Sequence, residues 1–386
     1  MKTYLFFASR YLPYLGGVER YTHNMSKELV SQGNKVIIVT SSIKGYPPYE
    51  AQDNTVIIRL PSLPLLNGRF PVLLYNRQAK KLMSQITDLP IDYAIINTRF
   101  YILSYYGVRY TKKTKIPSVV IEHGTGHFTV NNKLFDFCGH IYEHVITHLI
   151  KKNCNRFCGV SMKCNEWLRH FSIEANQILY NAVDIQYIQK ILDDNDDHIK
   201  DIIDYQKDDI IITYTGRLIE EKGILKLISA IQHVIKCYSN VKLCIAGDGN
   251  LYNKLLSYNC KNIKVLGRLE FEQVIHLLNI TQIYCLPTDY PEGLPTSILE
   301  AIACKAYVIT TSEGGSKEII VDNSYGDILA ENSVTTIANS IIRIIENEER
   351  RKWVVENTFK QLCSNFTWEN TVKKLNRIFE MEENDE

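Results

Sequence analysis

The sequence of 386 residues lacks any long apolar run, and no stretch approaches the roughly 18 consecutive apolar residues that a membrane-spanning helix requires. The apolar segment at residues 4–8 is only as long as a strand, and no small-residue cleavage site of a secretory signal follows it. The ten cysteines are scattered and show no pattern typical of a disulfide framework. The three that lie close together, Cys154, Cys158 and Cys164, have spacings that match no zinc ligand set. We therefore expect a cytoplasmic protein with neither disulfides nor a metal ion.

The two halves of the chain have opposite charge balances, although the net charge is only +1. Acidic residues are scarce in the first half, and basic residues are in deficit in the second. Residues 1–182 hold 22 Lys/Arg against 11 Asp/Glu, whereas the remainder holds 22 against 32. A basic, aromatic-rich first half is typical of a protein that meets an anionic surface, either acidic lipid or nucleic acid. An ordinary solvated face explains the same counts.

The chain is longer than one hydrophobic core usually supports, which favours two domains. In the first half, strands predicted at 2–8 and 36–40 flank a helix at 18–32, and this βαβ unit implies a parallel sheet. Further first-half elements are strands at 56–60, 93–97, 118–122, 157–161 and 178–180, and a helix at 139–153.

The pattern restarts after residue 182. Residues 193–209 are acidic with little to bury, so we expect a surface segment there. A strand at 210–215 precedes a helix from Ile224, and further strands are predicted at 241–246, 263–266, 283–287 and 307–310. A final amphipathic helix from Trp368 could pack on either domain.

Ligands of parallel α/β sheets bind beyond the carboxyl ends of the strands, so the loops there carry the chemistry. Gly16 and Gly17 precede a helix and would let a phosphate approach backbone N–H groups, although a plain glycine turn is an alternative. Arg217 and Lys222 follow a buried strand and could converge on a diphosphate, or could simply be exposed. The loop at 246–250 lacks G-x-G-x-x-G spacing and indicates a tight turn.

The most informative loop is 289–301, which leads into a helix at Pro295. Free N–H groups at Thr296 and Ser297 would face an anion there. Glu292 in the loop and Glu300 about two turns along the helix could each accept hydrogen bonds from neighbouring sugar hydroxyls. This arrangement favours a nucleotide-sugar site over a solvated helix end.

Together these residues resemble the retaining glycosyltransferases of the GT-B fold, specifically family 4. Glu292 and Glu300 have that family's E-x7-E spacing, and residues 292–303 are close to its consensus. The resemblance covers nearly the whole chain, in order, through the segments 16–20, 181–184, 215–223, 266–268 and 314–318. It implies two Rossmann-like domains facing across a cleft, with acceptor-binding residues 1–182, nucleotide-sugar-binding residues 183–365, and a C-terminal helix at 366–386 that crosses back to the first domain.

The resemblance also implies the site residues. Arg217 and Lys222 would neutralise the donor diphosphate, helped by backbone N–H groups of Gly17, Thr296 and Ser297. Glu300 would hold the ribose and Glu292 the transferred sugar, while His123 would lie beside the reaction centre. Catalytic roles thus fall to His123, Glu292, Arg217 and Lys222. The full donor-binding set is Gly16, Gly17, Arg217, Lys222, Gly267, Arg268, Glu292, Gly293, Leu294, Thr296, Ser297 and Glu300.

Glu19 and His127 are the acceptor-side candidates, because Gly124 stands where the family often has an acid. The family implies retention of configuration, no metal and no cofactor beyond the donor, which is a substrate. UDP is the nucleotide that the family favours. Ala182 replaces a common glycine, and Lys305 replaces another just past the E-x7-E helix, where we expect little consequence.

Aromatic and basic residues alternate over 69–81 and 99–115, and such a mixture suits an anionic membrane surface rather than nucleic acid. We therefore expect a glycan or polyprenyl-diphosphate-linked acceptor at the inner face of the cell membrane, as in bacterial surface-polysaccharide assembly. A soluble acceptor is the alternative to this interpretation. The alternatives from other classes are a nucleotide-sugar epimerase, a poorly fitting NAD-dependent oxidoreductase, and a non-catalytic binding module of the same shape.

Overall fold

The computed structural model describes residues 1–14, 16–87, 89–130, 132–194 and 198–383, with the backbone alone at 382 and 383. The chain divides into two compact units. Unit 1 comprises Met1–Asn181 and the segment from Trp368 onward, and unit 2 comprises Ala182–Thr367. Within the described ranges, no helix combines the length and the apolar character needed to cross a bilayer.

Unit 1 is built on an eight-stranded sheet of order β10-β9-β8-β7-β1-β2-β4-β3, parallel except for the edge strand β3. Strands β5 and β6 form a separate antiparallel hairpin. The strands are β1 Thr3–Ala8, β2 Lys35–Ser41, β3 Tyr49–Gln52, β4 Thr55–Leu60, β5 Ser62–Leu65, β6 Phe70–Leu73, β7 Tyr93–Asn97, β8 Ser118–Glu122, β9 Phe157–Gly159 and β10 Gln177–Ile178. The helices are α1 Gly17–Ser31, α2 Arg77–Thr87, α3 Ile102–Thr114, α4 Lys133–Lys151 and α5 Met162–Arg169.

Burial on both faces explains the apolar character of the central strands. Every residue of β7 is buried, and β1 is buried from Tyr4 onward, because helices cover both faces of a parallel sheet. In register, Phe7 of β1 lies beside Ile96 of β7 and Val39 of β2. The carboxyl ends of β1, β7 and β8 therefore lie at one edge of the sheet, where their loops meet.

Unit 2 repeats the design with a six-stranded parallel sheet of order β13-β12-β11-β14-β15-β16. Its strands are β11 Ile210–Thr215, β12 Val241–Ala246, β13 Ile263–Gly267, β14 Ile283–Leu286, β15 Tyr307–Thr310 and β16 Asp327–Ile328. Its helices are α6 Ile185–Asp193, α7 His198–Ile202, α8 Ile224–Val234, α9 Tyr252–Leu256, α10 Phe271–Asn279, α11 Thr296–Ala303, α12 Ser316–Ile319, α13 Val334–Ile345 and α14 Glu348–Asn365, with a 3-10 turn at Glu220–Lys222.

The segment 193–209 corrects one expectation, since it is more than a polar surface stretch. Residues 195–197 lie outside the described residues, but α7 follows them, and Ile199 and Ile203 are buried against Ile211 and Leu277. The acidic residues around them concealed two core positions.

Helix α4 of unit 1 begins six residues earlier than the predicted start at 139, at Lys133, where Asn132 caps the N–H groups of the first turn.

The final helix, α15 Trp368–Glu383, belongs to unit 1, as the family resemblance implies. Phe379 stacks on Tyr93 with ring centroids 4.2 Å apart, and the Tyr4 hydroxyl donates to Asn376 Oδ1 at 2.6 Å. Trp368 meets the ring of Tyr21 on α1 edge to face at 5.3 Å. The chain therefore leaves unit 1 after Asn181, completes unit 2, and returns to finish the first core.

Candidate functional site

Two adjacent strands of unit 2 place the predicted donor residues at one edge of the sheet. Strands β11 and β14 pair in parallel through Ile212 and Ile283, so their carboxyl-terminal loops are neighbours. The loop after β11 carries Arg217 and Lys222, and the loop after β14 carries Glu292. The backbone N–H of Asp289 donates to the Glu221 carbonyl at 2.7 Å and joins the two loops directly.

Lys222 and Glu292 form an ion pair, with Nζ in contact with Oε1. Both side chains are largely buried, at 11% and 13% exposure, so the charges interact in a medium of lower polarity than water. The Arg217 guanidinium lies over the ring of Tyr290 at 4.5 Å, and Lys222 Nζ lies 5.4 Å from the same ring. The structure thus brings three predicted residues together around Tyr290, an aromatic side chain that the sequence reasoning missed.

Glycines fix the shape of these loops. Gly314 has φ +56, and a Cβ there would lie 2.5 Å from the Glu292 carbonyl oxygen and 2.6 Å from that of Gly293. The next N–H, of Gly315, donates to the Gly293 carbonyl at 2.7 Å. Only glycine allows this close approach in the left-handed region. The backbone bearing Glu292 is therefore held by the loop after β15.

The helix that follows begins at Thr296, with Pro295 in the N-cap position. Thr296 and Ser297 are half-buried in its first turn, whose N–H groups have no partner within the helix. Leu294 is buried in front of them, and Glu300 is 8% exposed. Burial raises the pKa of the Tyr284 hydroxyl, and the Glu300 carboxylate adds to that shift, which places Glu300 near Tyr284 of β14.

Gly267 is the last residue of β13 and Arg268 follows it, and β13 lies two positions from β11 in the sheet. Gly267 adopts φ +71, and its carbonyl accepts a hydrogen bond from the Gly247 N–H at 2.7 Å. This bond links the ends of β12 and β13 and fits the tight turn predicted at 246–250. Arg268 is exposed and belongs to this neighbouring part of the edge rather than to the Lys222–Glu292 pair.

In unit 1, His123 follows β8 and is tied to the end of β7 by a directed chain of hydrogen bonds. The Thr22 hydroxyl donates to the Val18 carbonyl at 2.8 Å, so it accepts from the Asn97 side-chain amide, also at 2.8 Å. The Asn97 oxygen must then face His123, where it lies 3.0 Å from Nε2. An oxygen acceptor requires a protonated Nε2.

The His123 ring is neutral as well as oriented. Burial lowers the pKa of His123 to about 3, and Tyr21 contacts it edge-on at a centroid distance of 4.7 Å. A neutral imidazole with its proton on Nε2 has its lone pair on Nδ1. His123 can therefore accept a hydrogen bond through Nδ1 at neutral pH.

A buried arginine holds the loop that follows. Arg99, only 1% exposed, pairs with Glu122 at 2.8 Å and with Glu143 at 3.3 Å. Glu122 Oε1 accepts the backbone N–H of His123 at 3.0 Å and that of Gly124 at 3.1 Å. Burial raises the pKa of Glu122, although Arg99 opposes the shift. Arg99 therefore supports the His123 loop through Glu122.

Gly16, Gly17 and Glu19 meet at the start of α1. Gly16 precedes the helix, and a Cβ there would lie 2.3 Å from a Glu19 carboxylate oxygen, whereas the space around Gly17 is open. Glu19 is buried and pairs with Arg10 at 3.3 Å. His127 lies in the loop after His123, where its Nδ1 contacts Glu143 Oε2 at 3.0 Å.

The predicted membrane patch at 99–115 exposes most of its basic side chains, namely Arg109, Lys112, Lys113 and Lys115, but its aromatic side chains are partly buried. Arg99 is buried, and the aromatic residues of this segment pack against the core of unit 1, namely Phe100, Tyr105, Tyr106 and Tyr110. The pattern failed because α3 and its preceding loop turn their aromatic side towards the sheet. The other predicted segment, 69–81, does expose Leu74 and Tyr75 beside its basic residues. Further large exposed apolar side chains lie on α4 and the β5–β6 hairpin, and include Leu134, Phe135, Phe137, Ile141, Leu63, Leu65 and Leu66.

Comparison with known proteins places both units in one family. The family model described as Glycosyltransferase Family 4 matches residues 15–187, and the model described as Glycosyl transferases group 1 matches residues 195–361. An uncharacterized glycosyltransferase of Methanocaldococcus jannaschii is 25% identical over 97% of each chain. The phosphatidylinositol N-acetylglucosaminyltransferase GPI3 subunit of Saccharomyces cerevisiae is 23% identical over 96% of this chain and 80% of its own.

Among solved structures, Anabaena HepE in complex with UDP shares the fold, with a TM-score of 0.72 and 16% identity over the full length of both chains. The two parallel sheets, the returning helix and this likeness identify the GT-B fold. With a matching model on each unit, the chain belongs to the family 4 glycosyltransferases, for which retention of configuration and independence of metal are family properties.

Proposed function

We propose that this enzyme transfers a sugar from a nucleotide-diphosphate donor, with UDP as the nucleotide, to a lipid-diphosphate-linked glycan during surface-polysaccharide synthesis. The observation that carries the donor part is the cluster of Lys222, Glu292 and Arg217 around Tyr290. The GPI3 relative, whose name specifies a phosphatidylinositol acceptor, and the UDP in the HepE complex support a lipid acceptor and UDP respectively.

The charges of the cluster suit the leaving group. As the glycosidic bond breaks, negative charge accumulates on the diphosphate, and positioned cations stabilise that charge, most strongly where water is excluded. Lys222 is largely buried, whereas Arg217 is exposed. Arg217 offers a planar fork of donors and Lys222 a compact charge. Lys222 pairs with Glu292, and we expect the bound donor to contact Lys222 through its phosphate and Glu292 through its sugar.

The donor part is tested by measuring thermal stability with UDP-, GDP-, ADP- and dTDP-linked sugars. A donor at about 100 times its Kd adds roughly 2.7 kcal/mol of stability. We expect a UDP-sugar to raise the Tm of the parent protein but not that of Arg217→Ala. Lys226→Ala is the matched control, since Lys226 is a nearby exposed lysine paired with Asp289 at 2.8 Å. A response to no nucleotide sugar, or an equal response in Arg217→Ala, would refute the donor site.

The acceptor part rests on the apolar surface of unit 1. Leu134, Phe135 and Phe137 of α4 are 70%, 66% and 64% exposed, which is unusual for adjacent large apolar side chains. Beside them lies an apolar cavity of about 260 Å³, lined by Phe135 and Tyr142 of α4 and by Leu66 and Phe70 of the hairpin. We propose that this surface enters the headgroup region of an anionic membrane at the cytoplasmic face and brings the lipid-linked acceptor to unit 1.

Vesicle flotation tests this association. At low salt the parent protein should float with vesicles containing acidic lipid, because residues 1–182 carry an excess of basic residues. The double change Phe135→Ser and Phe137→Ser should abolish flotation, whereas Trp353→Ser, at an exposed aromatic of unit 2, should not. Failure of the parent to bind would refute the membrane part and leave the donor site standing.

A further inference from the structure

We propose that unit 1 contains a transition-metal site formed by His127, His144 and His170. One ligand nitrogen from each ring lies within 4.8 Å of the other two. The three residues come from separate segments, namely the loop after β8, the middle of α4 and the C-terminal end of α5. Neutral imidazoles are ligands for borderline divalent ions, so Zn²⁺ is the expected occupant and Co²⁺, Ni²⁺ and Cu²⁺ are competitors.

A buried carboxylate supports His127 on the side of the ring away from the proposed metal ion. His127 Nδ1 lies 3.0 Å from Glu143 Oε2, and Glu143 is a buried carboxylate held by Arg99. A carboxylate on one imidazole nitrogen fixes the ring and raises the basicity of the other nitrogen, which is the usual support of a histidine that binds zinc. This contact orients Nε2 of His127 as the ligand atom.

The remaining two ligands can close on an ion. Tetrahedral zinc with Zn–N bonds of about 2.05 Å requires ligand nitrogens roughly 3.4 Å apart, so nitrogens that lie within 4.8 Å of one another must approach by at most about 1.4 Å. His144 and His170 are exposed and can make this movement by side-chain rotation. Their exposure also gives the ion a path from solvent, and a fourth position stays open for water.

Aromatic packing explains the neighbourhood only in part. Trp167 lies parallel to His170 at 4.9 Å, and His140 lies parallel to His127 at 4.0 Å. The three histidine rings also contact one another, with centroids 5.0 to 5.8 Å apart, but ring packing alone does not require their ligand nitrogens to converge. All three proposed ligands belong to unit 1. The effect of the ion would be to fix the loop 123–130 against α4 and α5.

The test uses the full chain without a histidine tag, stripped of metal by a chelator and titrated with Zn²⁺ by calorimetry. We expect one ion per chain and a rise in Tm that the chelator reverses. His144→Ala and His170→Ala should each weaken binding by about tenfold or more, since each removes one of three ligands. His148→Ala is the matched control, an exposed histidine one turn further along α4, and should bind as the parent does.

Exposed thiols such as Cys138 could also take zinc, and Co²⁺ distinguishes them. Nitrogen ligation gives tetrahedral visible bands without a thiolate charge-transfer band, and His170→Ala should remove these bands. Absence of binding, equal binding in the two cluster variants and the parent, or a thiolate spectrum would each overturn the site. Because both changed histidines are exposed, the variants should keep the parent's circular dichroism spectrum.

Discussion

The side-chain oxygen of Asn97 accepts a hydrogen bond from Nε2 of His123, and a hydroxyl on α1 fixes the direction of that bond. The end of β7 thereby selects the tautomer of a histidine that follows β8. We propose that His123 acts beside the reaction centre, as the family resemblance implies, and this relationship gives that role a test that does not require the acceptor structure.

Asn97→Asp should change the protonation of His123. A carboxylate beside the imidazole favours the imidazolium, so the His123 pKa should rise from its lowered value of about 3. Because one neighbouring carboxylate raises a pKa by about 1–3 units, we expect kcat/KM to fall by up to about tenfold at pH 5, with recovery towards pH 8 as the ring loses its proton. The pH profile of transfer and the ring ¹⁵N shifts measure this change.

Asn155→Asp supplies the control, because it adds the same charge at an exposed position of unit 1. A profile for Asn97→Asp that runs parallel to that of the parent would show that His123 takes no part through its protonation state.

Gly314→Ala should damage donor binding more than folding. The new Cβ would meet the carbonyl oxygens of Glu292 and Gly293, so the loop that bears Glu292 must move. We expect donor affinity to fall by roughly tenfold and the free energy of unfolding by about 1–3 kcal/mol. Calorimetric titration with the donor and urea denaturation measure the two effects.

Gly139→Ala is the comparison for this change. Gly139 lies within α4, and no atom stands within 4 Å of the added Cβ. Alanine should therefore raise the free energy of unfolding by about 0.5–1 kcal/mol and leave donor affinity unchanged. Equal donor affinity in Gly314→Ala and the parent would mean that the Gly314 contact does not shape the site.

Arg99→Met should destabilise unit 1 by about 3–5 kcal/mol at neutral pH, because it leaves the buried Glu122 and Glu143 without their cation. The loss should be smaller at pH 5 than at pH 8. Burial already raises the pKa of Glu122, and removing Arg99 raises it further. The folded variant then holds a proton that the unfolded chain releases, so its stability falls as pH rises.

Urea denaturation at the two pH values provides the measurement, with the exposed Arg109→Met as control, expected within about 0.5 kcal/mol of the parent. A loss for Arg99→Met that is independent of pH would contradict the assignment to buried carboxylates.

Substitutions of two adjacent isoleucines test whether the acidic segment 193–209 contributes to the core of unit 2. Ile203 is 0% exposed and Ile202 is 41% exposed. Ile203→Ala should cost about 2–5 kcal/mol of unfolding free energy, and Ile202→Ala less than about 0.5 kcal/mol. Similar losses for both variants, measured by urea denaturation, would show that α7 does not pack as described.

The central strands could be predicted almost to the residue. Tyr93–Asn97, Ser118–Glu122, Val241–Ala246 and Tyr307–Thr310 coincide with their predicted ranges. Strands covered on both faces are continuous apolar runs, and this composition needs no knowledge of distant neighbours. The family resemblance added the GT-B fold and the return of the final helix, which periodicity alone left open.

The errors concern which way a side chain faces. The sequence pattern places Arg99 in a basic surface, but the structure buries it. Its charge is neutralised by Glu122 and Glu143, which lie far from it in the sequence. Ile199 and Ile203 were hidden by flanking acids. The contacts of Tyr290 and Asn97 depend on loops from other strands, so no local pattern could reveal them.

The return of α15 to unit 1 has a consequence for synthesis on the ribosome. Tyr93 and Tyr21 receive their covering partners, Phe379 and Trp368, only after all of unit 2 has been translated. Until then the nascent first domain presents an uncovered aromatic groove. We expect this exposed aromatic surface to bind chaperones during synthesis. A premature stop codon just before Trp368 would leave it exposed permanently, even if the second domain had folded.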